Sequence, residues 1–314
     1  MLIKHLENFK FLIFNFKIIT INPRIRHYTL TEQIKMPGIL EKEKPDLVHF
    51  PHFNVPLFYN KPFVVTIHDL LWHEQVGTTA TTLPVWVYWL KYLAYRLVLK
   101  HAVLKSKAII VPSGWVKKKI VDRFPVVESK IKVVYEGVSE VFRGLSSGRG
   151  QSSPDKYGVK QGKYIIYTGS LYPHKNVNII LDILPQFPEF KLIVACARNI
   201  FWEKFKQEIE KRELLNQVVL AGFVNDDELA ELYKNALAFV FPSKSEGFGL
   251  PGLEAMASEC PVISSNAGSL PEIYGDSALY FNPDKKEELI RIINIIKDEE
   301  ERRKRMREHS ERET

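Results

Sequence analysis

The chain has 314 residues, 45% of them hydrophobic and 26% charged, with a formal net charge of +7. This is ordinary globular usage, which excludes a disordered, collagen-like or membrane-embedded protein, and the length suits two domains of about 150 residues each. The positive excess favours phosphate-bearing ligands or an anionic surface, but it is too small and too scattered to call for nucleic acid.

Met1 to Lys17 mixes Lys4, Glu7 and Lys10 among apolar residues and lacks a signal-peptide layout. Leu2 to Phe9 reads as a helix. Short β-rich runs then alternate with amphipathic stretches, the pattern of βαβ units in a parallel sheet. In the first half the strands fall at Lys17–Ile21, Asp46–Phe50, Phe63–Ile67, Ala108–Val111 and Lys132–Tyr135. Helices are predicted near Leu30–Glu43, Leu83–Lys105 and Ser113–Phe124, the last with Ser113 as its N-cap.

The helix at 83–105 places Trp86, Tyr88, Trp89, Tyr92 and Tyr95 among Lys91, Arg96 and Lys100. Its charges argue against a membrane span. Two readings remain: aromatic packing into the core, or peripheral contact with a membrane, since aromatic and basic helices often lie on lipid surfaces.

Between Arg143 and Gly162 the composition turns to Gly, Ser, Arg and Lys, as in a linker. The expected division is therefore a first domain at 1–142, a linker at 143–162 and a second domain at 163–314. The second half repeats the alternation. Its strands are Tyr164–Thr168, Lys191–Ala195, Val218–Leu220, Ala238–Phe241 and Pro261–Ser264, and its helices Val177–Leu184, Phe201–Arg212, Asp226–Asn235 and Leu250–Ser258. Glu287–Thr314 is helical in composition and ends in a charged run that reads as a solvated face. Cys196 and Cys260 read as small buried residues in a reducing compartment, here the cytoplasm.

Three places could carry chemistry. The first runs from Pro242 to Glu254, after an apolar strand and into a helix that Pro251 would open. Gly247 and Gly249 would let backbone N–H groups approach a phosphate at the positive end of that helix. Glu246 in the turn and Glu254 inside the helix could flank one ligand and accept sugar hydroxyls, although acidic residues also settle in such turns to offset the helix dipole. In the second, Thr168-Gly169-Ser170 leads to His174-Lys175-Asn176, and Lys175 at a helix entrance could neutralise a diphosphate. In the third, His68 leaves the carboxyl end of a first-half strand, where open parallel sheets bind ligands. It could contact a sugar, or be a structural histidine fixed by Asp69. His49 and His52 form a lone His-x-x-His, too little for a metal site, so no metal is expected.

From about Ile25 to Asp298 these residues resemble the family-4 retaining glycosyltransferases of the GT-B fold, also called glycosyl transferases group 1. The most specific likeness is Glu-x7-Glu, Glu246 to Glu254, between Phe241-Pro242-Ser243 and Ala255-Met256-Ala257. Gly222-Phe223-Val224, Pro261-Val262-Ile263 and Leu270-Pro271-Glu272 are also similar. The resemblance implies an α/β protein with two Rossmann-like parallel-sheet domains facing a cleft, the first on the acceptor side and the second holding the donor nucleotide. It implies that Glu254 binds the donor ribose and that Glu246 lies beside the transferred sugar. Gly247, Phe248, Gly249 and Leu250 would line the sugar and phosphates, Lys175 with Ser170 the diphosphate, and Phe223 and Val224 the base. His68 would sit near the reacting carbon.

The implied reaction moves a mannose- or glucose-type hexose from a nucleoside diphosphate sugar to a glycan or lipid-linked acceptor with retention. No cofactor beyond the nucleotide sugar is expected, and no nucleic acid partner. Three departures stand out. The opening strand and glycine-rich loop of the family look absent, Ser170 stands where many members carry arginine, and the closing helix is missing. A truncated chain is therefore expected, and a nucleotide-sugar-binding remnant without catalysis is the alternative. A nucleotide-sugar epimerase ranks lower, because the Glu-x7-Glu surroundings fit transferases.

Overall fold

The computed structural model describes residue 25 and residues 28–74, 77, 84–144, 154–197 and 200–312. The expected helix at 2–9, the strand at 17–21 and most of the glycine- and serine-rich stretch lie outside the described residues. What is described falls into two compact units, one drawn from Met1–Asp46 with Pro56–Asn60, the other from Leu47–Val55 with Lys61–Thr314.

The smaller unit is built on α1 (Leu30–Lys42), which begins where the Thr29 hydroxyl accepts from the Glu32 N–H at 3.2 Å. The Gln33 side chain accepts from Leu57 N, tying Pro56–Asn60 to this helix, and Tyr59 is fully buried there.

The larger unit holds two sheets, both parallel. The first has the order β1 (Val48–Phe50), β2 (Phe63–Thr66), β3 (Ala108–Val111), β4 (Ile131–Val133). Its helices are the short α2 (Leu71–Glu74), α3 (Val85–Lys105) and α4 (Gly114–Arg123). Ser113 caps α4 as the sequence predicts, its hydroxyl accepting from Val116 N at 3.2 Å. Alternate residues of β2 and β3 are buried, so one face of this sheet carries the core.

The second half of the chain contributes β5 (Tyr164–Thr168), α5 (Asn178–Ile183), β6 (Lys191–Ala195), α6 (Trp202–Lys211), β7 (Val218–Gly222) and α7 (Asp226–Asn235). After these come β8 (Ala238–Phe241), α8 (Leu250–Ala257), β9 (Val262–Ser265), α9 (Leu270–Tyr274), β10 (Ala278–Phe281) and α10 (Lys286–Arg312). Their strand order is β10-β9-β8-β5-β6-β7. From β5 the chain winds outward to β7, then returns to lay β8 on the other side of β5 and winds outward again. The sheet thus reverses direction between β5 and β8, its topological switch point. Both strands are buried at every position because helices cover both faces, which explains their unbroken apolar sequences. Hydroxyls inside this core find partners: Tyr164 donates to Leu232 O, and Thr168 pairs with Tyr233, both at 2.6 Å.

The short α9 and the strand β10 were not anticipated from the sequence. No described helix is long and apolar enough to cross a membrane.

Candidate functional site at the sheet reversal

The turns after β5 and β8 meet at the switch point. After β5, Gly169 adopts a φ of +132° and the chain passes through a 3-10 turn, Pro173–Lys175, into Asn176 in the left-handed region. Lys175 therefore sits in a tight turn ahead of α5, slightly before the helix entrance expected for it. The turn is pinned on both sides. Lys244 N donates to His174 O at 2.7 Å, and Asn176 Nδ2 donates to Pro283 O at 2.8 Å. Ser170 O accepts from Tyr167 Oη, which fixes the backbone just after Gly169.

This geometry brings Lys175 to Glu246. Lys175 Nζ lies 2.6 Å from Glu246 Oε1, both side chains are largely buried, and the ammonium also stands 5.6 Å from the Phe241 ring centre. Taking both charges out of water is costly, so the short ionic hydrogen bond is what makes the arrangement tolerable. Burial and the Lys175 charge push neighbouring His174 down to about 4, so that ring is neutral.

The loop from Glu246 to Gly249 is held through its carbonyls. Glu246 O and Phe248 O accept from Ser269 Oγ, Gly247 O from Ser113 Oγ at 2.7 Å, and Gly249 O from Tyr274 Oη. The loop enters α8 with no side-chain cap; Pro251 has no N–H and Gly252 N donates to Gly249 O at 3.2 Å, which leaves the Leu250 N–H at the helix start. Phe248 is buried beside Tyr135, and Leu250 opens the helix.

The glycines serve a packing purpose that was not anticipated. A Cβ on Gly247 would lie 2.0 Å from the His68 carbonyl oxygen, and one on Gly249 would lie 2.5 Å from Leu270 and 2.6 Å from Tyr274 Oη. The space that a side chain would need is filled by protein, so close packing of β2's exit and of α9 against the loop requires glycine there.

Glu254 stands on α8. Burial, then the nearby Asp226, raises its carboxyl to about 7. Its carboxyl makes no hydrogen bond or ion pair to Lys175 or Glu246 among the described residues. Phe223 and Val224 follow β7, Phe223 with 80% of its surface exposed and Val224 packed on the core.

His68 is fixed, but by partners other than Asp69. Its Nδ1 lies 3.1 Å from Glu136 Oε1 and its Nε2 3.1 Å from Pro51 O. The Asp69 carboxylate accepts from Leu71 N instead. A carbonyl and a carboxylate both accept, so this pairing favours hydrogen on both ring nitrogens, the imidazolium form. The Glu136 hydrogen bond accordingly raises the His68 pKa above its usual 6.5. His49 pairs with Thr66 Oγ1 at 2.8 Å, a structural role.

Sequence reasoning placed Ser113 only as a helix cap, and it did not assign roles to Glu136, Ser269, Glu272 and Tyr274. Glu272 accepts from Gly114 N at 2.7 Å and Trp115 N at 2.9 Å, so a carboxylate of the second sheet occupies the start of α4. Its presence in Leu270-Pro271-Glu272 was the one available signal.

The chain matches the family model described as glycosyl transferases group 1 over residues 151–313, and that of glycosyltransferase family 4 over residues 10–141. The O-antigen chain mannosyltransferase RfbU of Salmonella typhimurium is 29% identical over 239 residues, which are 76% of this chain and 61% of that protein. An O-antigen chain mannosyltransferase B of Escherichia coli is 27% identical over 282 residues, 88% of this chain and 71% of that one. This chain therefore spans about three fifths of the Salmonella relative. Among solved structures, sucrose-phosphate synthase from Thermosynechococcus elongatus matches with a TM-score of 0.68 at 18% identity, covering 87% of this chain and 70% of that one. HepE of Anabaena in complex with UDP-glucose matches with a TM-score of 0.68 at 20% identity, covering 87% and 75%. The fold they share is α/β, of the GT-B type.

Proposed function

The chain belongs to the glycosyl transferases group 1 family, and from that membership we propose that it is a hexosyltransferase using a nucleoside diphosphate sugar. The acceptor is a glycan or a lipid-linked glycan, and the anomeric configuration is retained. The observation that carries this reading is the Lys175–Glu246 pair of 2.6 Å at the β5/β8 reversal, because ligands of open α/β sheets bind outside the carboxyl ends of the strands at such a point.

In this reading the donor diphosphate sits beside Lys175 and the start of α8, where an ammonium and the positive end of the helix offset its charge. Glu246 holds Lys175 in place before binding and accepts from the hexose. Glu254, with no hydrogen-bond partner in the described residues, accepts from the ribose hydroxyls. Phe223, exposed at the end of β7, covers one face of the base, with Val224 beside it. Protonated His68 supplies a second positive group on the first-sheet side of the loop, its ring held by Glu136 and Pro51 while its carbonyl packs against Gly247. The reaction asks the protein to stabilise a leaving diphosphate and to align two substrates, and the departing phosphate oxygen takes the acceptor proton. A mannose-type sugar is favoured by the O-antigen mannosyltransferases among the relatives.

A thermal-shift screen of UDP, GDP and ADP sugars on the purified chain tests the donor site, because a ligand that binds the folded state raises its melting temperature. Nucleotide release and sugar transfer are then measured with the best donor. Stabilisation by one nucleotide, lost in Lys175→Ala and Glu254→Ala, supports the reading. Stabilisation without release supports the alternative of a nucleotide-sugar-binding chain without turnover. No stabilisation by any of them overturns both.

A further inference from the structure

Helix α3 is apolar on two opposite sides, and only one of them is accounted for by the fold. Tyr88, Tyr95, Leu99 and Ala102 are buried and form its inner face. At 100° per residue, Trp86, Leu90, Leu93 and Leu97 line up on the opposite side, and they expose 72%, 62%, 55% and 53% of their surface. Trp89, 48% exposed, borders that stripe. A helix that is apolar all round belongs in a buried setting, so this outer stripe wants a partner.

The charges around the stripe say which kind. The 21 residues of α3 include no Asp or Glu, while Lys91, Arg96 and Lys100 are all exposed on it. Beside its C-terminal half lies a groove of about 560 Å³ lined by Leu93, Leu97, Phe124 and His73 together with Arg96, Lys100 and Arg123. None of these three cations has an ion-pair partner among the described residues. Three apolar walls and three unpaired cations match a molecule with a hydrocarbon body and an anionic head.

We propose that the outer face of α3 docks this protein onto an anionic phospholipid surface. Trp86, Leu90, Leu93 and Leu97 enter the headgroup and acyl boundary, and a lipid phosphate seats among Arg96, Lys100 and Arg123. The depth is that of an interfacial helix lying in the plane of the surface. A second copy of the chain would bring the same cations face to face with themselves, which makes a homodimer through this face the poorer occupant.

The test is co-sedimentation of the full chain with vesicles of phosphatidylcholine alone and of phosphatidylcholine with about one third phosphatidylglycerol. The expected result is binding to the anionic vesicles only, weakened by salt. Arg96→Gln with Lys100→Gln should weaken partitioning roughly 30-fold, since each cation near such a surface contributes about a factor of five. Trp86→Ser with Leu93→Ser should lower binding without loss of fold, because both side chains are solvent-facing; circular dichroism and nucleotide-induced thermal shift verify that the protein is intact. Failure of the wild type to sediment with anionic vesicles overturns the proposal, as does binding that survives both double substitutions. Light scattering that shows a dimer abolished by Trp86→Ser with Leu93→Ser, without vesicle binding, would reassign the face to self-association. Loss of vesicle binding in inorganic phosphate, at an ionic strength where chloride leaves it intact, would reduce the groove to a simple anion site and overturn the lipid reading.

Discussion

Replacing Glu254 by Gln separates what the site costs the fold from what it gives to binding. In the folded protein the Glu254 carboxyl is raised from the ordinary 4.5 to about 7, first by burial and then by Asp226. Above pH 7 the folded state must hold an ionised carboxylate that the unfolded chain solvates better. At 1.36 kcal/mol per pH unit that interval corresponds to about 3 kcal/mol, and because the side chain is only partly buried, solvent screening brings it to about 1–2 kcal/mol. The sign follows from proton binding. Between 4.5 and about 7 the folded state binds more protons than the unfolded one, so the Glu254 contribution to stability falls as pH rises through that interval and levels off above it. Glu254→Gln should therefore match the wild type near pH 4.5 and exceed it by about 1–2 kcal/mol near pH 8. Urea denaturation of both proteins across that range reads the difference directly. The same substitution should weaken nucleoside diphosphate binding, because an amide replaces a carboxylate that accepts two hydroxyls. A Gln variant that is less stable than wild type near pH 8, or whose advantage does not change with pH, would refute the assignment of Glu254 as a desolvated, unpaired carboxyl.

Further substitutions probe the neighbouring contacts. Lys175→Met strands the buried Glu246 carboxylate and should cost about 3 kcal/mol in urea denaturation, and adding Glu246→Gln should recover most of it without restoring donor binding; equal stability of the single and double variants would show that the pair is not coupled. Glu136→Ala removes the hydrogen bond that raises His68, so the His68 ring titration followed by NMR should move down towards 6.5. The stability from this pairing, present below 6.5 and lost as pH rises through the folded value, should disappear with it; an unmoved titration would sink the pairing. Gly247→Ala forces a Cβ to within 2.0 Å of His68 O and should destabilise by roughly 2 kcal/mol or more, whereas Gly137→Ala, with nothing within 4 Å of its Cβ position, should stay near wild type.

Elements set by local chemistry were legible in the sequence. The unbroken apolar runs of β5 and β8 announced strands buried on both faces, and Ser113 announced the start of α4. Helix α9 escaped because it has five residues, with a proline in its first turn, and leaves no periodic pattern. Strand β10, Ala-Leu-Tyr-Phe, alternates too briefly to be separated from its surroundings. At the site, Lys175, Glu246 and Glu254 were found because each stands in a strand-to-helix turn or just beyond one. What holds them was hidden by distance along the chain: Glu136 reaches His68 across 68 residues, and Ser113 reaches Gly247 across 134. The glycines have a packing reason that the sequence did not show. A small residue in a turn looks alike in sequence whether a ligand or a packed backbone needs the room, and only the His68 carbonyl and Tyr274 show which. Core packing accounts for only part of α3. Tyr88 and Tyr95 pack inward as a core helix requires, while Trp86 and Trp89 face solvent.

The stitching of the two sheets limits how halves of such chains can be recombined. Ser113 belongs with the first sheet and Gly247 with the second, and the Glu272 carboxylate of the second completes the α4 terminus of the first. A chimera that grafts a relative's nucleotide half onto this chain's leading half must bring glycine at 247, to clear the His68 carbonyl and meet the Ser113 hydroxyl, and an acid at 272, to meet the Gly114 and Trp115 amides. Without that matched trio the graft would begin with an open seam, whatever sugar its donor pocket prefers.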